Sequence, residues 1–174
     1  FALQDVLTHS TASAQHACDF IGAGTPATDM ADMRAADVWM LAVPDAQLAA
    51  CALALAAACT KSGTAPGAAP ALPPIAFHCS GAQGAATLAP LAAMGWHVAS
   101  AHCILSFASV PSAIQQFPGT PCALEGDATA CDTLRAAFTA IGARCFGVAS
   151  SDKLLYRAAA VFATNFLPVL QATA

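Results

Sequence analysis

Charge is scarce in this chain. Six Lys and Arg and ten Asp and Glu are spread over 174 residues, for a net charge of −4. So few cations offer no basic field for a phosphate backbone or an anionic lipid surface, and neither a nucleic-acid nor a membrane partner is expected. Disorder is excluded from the other side, because 57% of the residues are hydrophobic. Long apolar runs are missing too. Residues 46–59 are apolar apart from Gln47 but number only about 14, against the ~20 that a bilayer core needs. Residues 158–174 are broken by Asn165, Pro168 and Gln171. Both stretches read as buried helices. No basic segment followed by an apolar one opens the chain, so no export signal is read.

Paired cysteines are lacking as well. The eight Cys residues lie far apart and include no CxxC, below the ~8–10% density of a disulfide scaffold. Most sit within Ala-rich apolar runs, where a free thiol acts as a small hydrophobe. A reducing cytoplasm is the expected setting.

Against these absences, the chain alternates strand and helix patterns from its first residues, which implies βαβ units and a parallel sheet. Residues 2–8 read as a strand, and Ser10 and Thr11 cap a helix over 12–21. GAGTP, from Gly22 to Pro26, follows a helix rather than a strand and lacks a third glycine, so it reads as a helix-ending turn and not a phosphate loop. A buried strand is expected over 38–43, then a helix capped by Asp45. Residues 62–74 (SGTAPGAAPALPP) read as a surface connection or a domain boundary. Beyond it come a strand over 75–78, a helix over 85–94, a strand over 97–101 and a loop containing Pro111. A strand over 122–125, a helix over 128–141, a strand over 144–148 and a terminal helix from about Ser151 complete the pattern.

Three strands end in polar or small residues: DVWMLAVPD, IAFHCSGA and HVASAHCILSF. The carboxyl ends of an open parallel sheet line one edge, where ligands bind, so His78, Ser80, His102 and Ser106 are expected to be neighbours. His78-Cys79 and His102-Cys103 suggest zinc at first sight. Successive strand residues face opposite ways, however, and two candidate ligands do not close a site, so no metal is assigned. Catalytic, substrate-orienting and structural roles stay open for both histidines. Ser80-Gly81 can bind a carboxamide or carbonyl, or cap the helix that follows. HCSGA lacks the first Gly of a nucleophile elbow, which disfavours a hydrolase. On the last helix Lys153, Arg157, Thr164 and Asn165 form a polar stripe that, from spacing alone, faces solvent.

Taken together, DVWMLAVPDAQL, AFHCSGA, SAHCILSF, GTPCALEG and DKLLYRAAAVFATNFL resemble a family of Rossmann-like proteins of unassigned function. In that family an NAD(P)-binding domain is joined to a helical domain similar to that of 6-phosphogluconate dehydrogenase. Its architecture is related to that of pyrroline-5-carboxylate, ketopantoate and prephenate oxidoreductases. The resemblance implies a Rossmann-like sheet over 1–149 and the first helix of the second domain over 150–174. No strand with a Gly-rich loop precedes the strand at 2–8, and the chain reads as an internal fragment. The resemblance also implies NADP or NAD as cofactor, a small-molecule substrate and a homodimer for the full-length protein.

For individual residues, the resemblance places His9, Ser10 and Thr11 at the cofactor's ribose, and Ala42, Val43, Pro44, Asp45 and Gly81 along it. His78, His102 and Lys153 form a catalytic relay, with Ser80, Ser106, Tyr156, Arg157 and Asn165 on the substrate, and the terminal polar stripe turns toward the cleft. The expected activity is hydride transfer to or from a small carbonyl, imine or hydroxy acid; a dinucleotide sensor without turnover is the alternative. Two departures bear on it: Cys103 stands where relatives carry Pro, and Arg157 where they carry His. A guanidinium is not a general base at neutral pH.

Overall fold

The computed structural model describes residues 1–61 and 72–173, so most of the low-complexity stretch at 62–74 lies outside the described residues. Strand β1 (Asp5–Leu7) leads into α1 (Thr11–Ile21) and back to β2 (Thr25–Ala27), which pairs parallel to β1. Ser10 caps α1 by accepting the Ser13 N–H, and Gly22 closes it with φ +76°, the left-handed conformation that glycine adopts without strain. Gly22 to Pro26 is thus more than the expected breaker, for Thr25 and Pro26 already belong to β2. A fork from the Arg34 guanidinium to the Asp5 carboxylate, at 2.6 Å, ties this small sheet to the segment leading onward.

The second sheet holds five strands in the order β3 (Val38–Leu41), β4 (Ile75–His78), β5 (His97–Cys103), β6 (Pro121–Gly126) and β7 (Arg144–Gly147). Among the described residues, β1 and β3 each pair on one side only. β3, β4 and β5 run parallel, and β6 and β7 run parallel to each other, but β5 and β6 are antiparallel. The all-parallel expectation therefore fails at one step. A parallel return needs a crossover that traverses the sheet, whereas the expected Pro111 loop is instead a short helix, α4 (Val110–Gln116). Its Pro lies in the first turn, where a missing N–H leaves no helical bond unmade. The chain re-enters the sheet at the edge it has just left.

Helices cover both faces. Helix α2 (Leu48–Lys61), the 3-10 turn at Ala85–Leu88 and the short α3 (Ala89–Ala92) pack Leu48, Leu55, Leu88 and Leu91 against Leu41 and Ala76. On the other face α5 (Ala128–Ala140) packs Ala130 and Leu134 against Phe77, Ala101, Cys122 and Leu124. Each fully buried Leu contributes roughly 1.5–3 kcal/mol. Helix α2 is not buried all round, since Leu53 is 61% exposed. Asp45 does not cap it: the turn before α2 starts after Pro44, and the Asp45 carboxylate is engaged elsewhere.

The carboxyl-terminal stretch is also not the single buried helix expected. It comprises α6 (Lys153–Val161), a π-helical turn (Phe162–Phe166) and α7 (Leu167–Thr173). Pro168 has no N–H to donate, which accounts for a locally wider turn. Leu154, Leu155, Phe162, Phe166, Val169 and Leu170 are exposed along it.

Candidate functional site

Register decides which side chains share a face. His78 lies opposite Ser100, and Ser100 opposite Glu125, so the three form one row across β4, β5 and β6. His102 stands two residues further along β5, one pleat nearer the carboxyl edge. Its neighbour Cys103 points the other way, into the core under α5. The His102-Cys103 pair is thus divided between faces, Cys79 is exposed just beyond the end of β4, and among the described residues no three His, Cys, Asp or Glu are placed to hold a metal ion.

Helix α6 climbs this face in steps of three residues. The Ser150 hydroxyl, just before it, donates to Glu125 Oε1 at 2.6 Å. The Lys153 ammonium donates to Ser100 Oγ and lies 3.8 Å from Glu125 Oε2. Tyr156 Oη meets His102 Nδ1 at 2.6 Å. The stripe aimed at the sheet is therefore Ser150, Lys153 and Tyr156, while Arg157 is exposed. The solvent-facing reading fails for Lys153, which is 3% exposed. Asn165 and Thr164 lie in or beside the π-helical turn, with side chains outside the described residues.

The Glu125 carboxylate is the hub of the buried row, accepting from Ala85 N at 2.8 Å and from Ser100 Oγ at 2.9 Å as well as from Ser150. Burial pushes its pKa up, but hydrogen bonds from Ser150, Ala85 and Ser100, with the Lys153 charge, outweigh that and hold it below the ordinary carboxylate value. For Lys153 burial is the larger effect, and it lowers the ammonium's pKa despite the pull of Glu125. Ser100, Glu125 and Ser150 are functional candidates that spacing does not reveal. One signal was available: a carboxylate inside the apolar strand PCALEG is rarely buried unless paired.

His78 is fully enclosed. The Ser80 N–H donates to its Nδ1 at 3.2 Å, so the proton is on Nε2, which donates to the Gly84 carbonyl at 3.1 Å. Burial first, then the Lys153 charge, lowers its pKa, with Gly84 opposing. With both ring nitrogens engaged by backbone, His78 orders the turn after β4. Ser80 completes that turn: its hydroxyl donates to Asp45 Oδ2 at 2.9 Å and accepts from Ala82 N and Gln83 N. Gln83 Nε2 reaches the Asp45 carbonyl at 2.6 Å. The loops carrying Ala42, Val43, Pro44 and Asp45 and carrying Ser80 and Gly81 are thereby locked together at the carboxyl edge.

His102 is half-buried beside them. Burial, followed by the Arg157 and Lys153 charges, lowers its pKa to about 4. Tyr156 is pushed up to about 12, chiefly by burial. At neutral pH the phenol is protonated and the imidazole neutral, so a single proton bridges the pair: Tyr156 donates to Nδ1, or it accepts from Nδ1–H and turns its own proton to the His102 carbonyl at 3.4 Å. The far ring nitrogen, Nε2, lies against Gly81, where a Cβ would stand 2.7 Å from it. Gly81→Ala is expected to displace the His102 ring at about 1–3 kcal/mol. In urea titrations it should fall well below Gly147→Ala, whose added Cβ meets nothing within 4 Å.

The remaining candidates lie at the margins. Ser106 is exposed, and Phe107 lines an apolar groove of about 350 Å³ with Val110, Ile114 and Phe117. His9 and Thr11 are exposed at the start of α1, with Ser10 as its cap. Near them a cleft of about 520 Å³ opens between Leu7, Thr8, Asp29 and Met30 on one side and Ala54 and Ala57 of α2 on the other.

No curated protein sequence matches the chain, but solved structures share its fold. A protein from Thermotoga maritima superposes with a TM-score of 0.70 at 23% identity, over 94% of this chain and 56% of that one. Arogenate dehydrogenase from Synechocystis follows at 0.68 and 15%, over 97% and 57%. A reductive aminase from Aspergillus terreus, in complex with NADPH and ethyl-5-oxohexanoate, gives 0.60 and 15%, over 97% and 55%. The chain thus spans little more than half the length of these structures. The profile of a domain of unknown function, DUF2520, matches residues 120–174. With the Rossmann-like domain profile matching residues 2–103, which carry β1 through β5 and the edge built around His78, Ser80 and His102, the chain belongs to the Rossmann-like domain family.

Proposed function

We propose that the protein is an NAD(P)-dependent oxidoreductase acting on a small carbonyl, imine or hydroxy-acid substrate. The observation that carries this reading is the His102–Tyr156 pair, held over Gly81 at the carboxyl edge of β3, β4 and β5, where open α/β sheets bind ligands. The residues present fit two parts of a dinucleotide. Ala42 to Asp45, Ser80 and Gly81 form the wall for its nicotinamide half. His9, Ser10 and Thr11, beside the cleft against α2, suit the adenosine half and either NAD or NADP. A bound nicotinamide supplies or accepts the hydride.

The chain's own residues do the rest. His102 is neutral at neutral pH, and its Nε2–H is a donor able to orient and polarise a substrate oxygen or nitrogen. That tautomer is the one in which Tyr156 donates to Nδ1. Lys153, with an ammonium weakened by burial, is the proton reservoir, and Ser100 and Glu125 hold it in place. Arg157, exposed one residue beyond Tyr156, suits a substrate carboxylate, and Ser106 and Asn165 belong to the same substrate side. His78 acts through Ser80 and not as an acid or base. The same reading divides the chain into 1–149 and 150–174. The apolar residues exposed on α6 and α7 support a homodimer, and the eight free cysteines a reducing cytoplasm.

The test is a screen of the intact protein with NADH and NADPH against 2-keto acids and imines, followed by nicotinamide absorbance. Turnover is expected, and His102→Ala should reduce kcat/KM by about 100-fold or more. Binding of a dinucleotide without turnover of any substrate would favour a sensor. Failure to bind either cofactor would overturn the whole reading.

A further inference from the structure

Cys103 and Cys122 face each other across β5 and β6 on the side opposite His102. The bond from Ile104 N to Pro121 O, at 2.9 Å, makes the adjoining pair the hydrogen-bonded one. Cys103 and Cys122 are then a non-hydrogen-bonded pair, in which Cα atoms approach to about 4.5 Å. That lies within the roughly 4.4–6.8 Å that a disulfide bridges. Both cysteines are free thiols in this structure. A third cysteine, Cys145, pairs in register with Cys122 on β7. Its thiol donates to the Arg135 carbonyl and accepts from the Thr139 hydroxyl of α5, and it also lies close enough to Cys122 to add to the upward push on that thiol's pKa, behind the larger effect of Cys103.

From this placement we infer that Cys103 and Cys122 are a reversible oxidation site, closing a cross-strand disulfide directly behind His102 when the protein meets a hydroperoxide. The two thiols are not equivalent. Interaction with Cys122 holds the Cys103 thiol below its ordinary range, and Cys122 is pushed up in return. Cys103 is also the more accessible, at 8% exposure against 0%. Its thiolate is the nucleophile. Cys103 Sγ attacks one peroxide oxygen, the O–O bond breaks, and a sulfenic acid forms as hydroxide leaves and takes up the thiol's proton as water. Cys122 Sγ then attacks Cys103 Sγ, the S–O bond breaks, and a second water departs with the Cys122 proton. Two thiols and one hydrogen peroxide give one disulfide and two waters.

The inference is independent of the enzymatic reading. Reduced native protein is exposed to hydrogen peroxide, quenched with an alkylating maleimide, and mapped by mass spectrometry without reduction. The expected product is a Cys103–Cys122 linked peptide two hydrogens lighter than its reduced parts, which dithiothreitol reverses. Cys122→Ser should stop the reaction at Cys103, trapped there as a dimedone adduct, with folding checked by circular dichroism. Should this variant fail to fold, the wild-type map decides alone. Oxidation confined to Cys79, a Cys122–Cys145 link, or no loss of free thiol would overturn the inference.

Discussion

Replacing Glu125 with Ala is expected to destabilise the protein by about 3–5 kcal/mol, because it leaves the Lys153 ammonium buried without a counter-charge. Lys153 is 3% exposed and would keep only the Ser100 hydroxyl. Ser150 and the Ala85 N–H would lose their acceptor as well. Lys153→Met should be milder, since Glu125 would retain Ser150, Ala85 and Ser100 as donors. The double variant should recover part of the loss, and urea unfolding of all four proteins gives the coupling directly. pH supplies a further check. The folded pKa of Glu125 lies below its unfolded value, so the unfolded state binds more protons as the medium turns acid. Its stabilisation is complete above the ordinary carboxylate value, about 4.3, and is lost as pH falls through the folded value. The Glu125→Ala protein should therefore lose less stability on acidification than wild type does. Parallel acid dependence in the two proteins would sink this account of the hub.

Gly126→Ala is expected to be as severe, at about 3 kcal/mol or more, from left-handed strain together with overpacking. Gly126 has φ +127°, and its added Cβ would stand 2.5 Å from the Val98 carbonyl and 2.7 Å from Ala99 Cα. Both are backbone atoms of β5, so no rotamer change relieves the contact. The register pair of Gly126 with Ala99 must open, and the adjacent Glu125 moves with it. Gly142→Ala separates the causes: φ there is +100°, but the nearest atom, Pro118 Cα, is 3.2 Å away. It should show the strain with only a slight adjustment of Pro118, about 1–3 kcal/mol. Equal urea midpoints for the two variants would show that the close approach to β5 contributes nothing.

Much of the architecture was legible because local pattern and burial agree. The run IAFH is apolar and is buried at all four positions of β4. Ser10 before α1 reads as a cap and is one. The errors share a cause. Asp45 has the sequence context of a cap, but Ser80, 35 residues away, claims its carboxylate. Pro111 signals a break, yet the first turn of a helix accepts it. No local signal reports that β6 reverses against β5, because direction depends on where the chain re-enters the sheet.

The site divides in the same way. That His78, Ser80 and His102 share one edge follows from three strand endings and the two-residue period of a strand. Period alone also separates His102 from Cys103. What each residue does at that edge was decided by contacts distant in sequence. His78 is spent on Ser80 and Gly84, while His102 is poised between Tyr156 and Gly81. Lys153, on a helix whose spacing allowed either face, is drawn inward by Ser100, 53 residues away on β5, and by Glu125 on the next strand. Composition and periodicity thus determined the fold class and the edge where chemistry can occur, since both depend on neighbours along the chain. Only the tertiary structure decided protonation and partnership, because these depend on burial and on charges brought together by strand register.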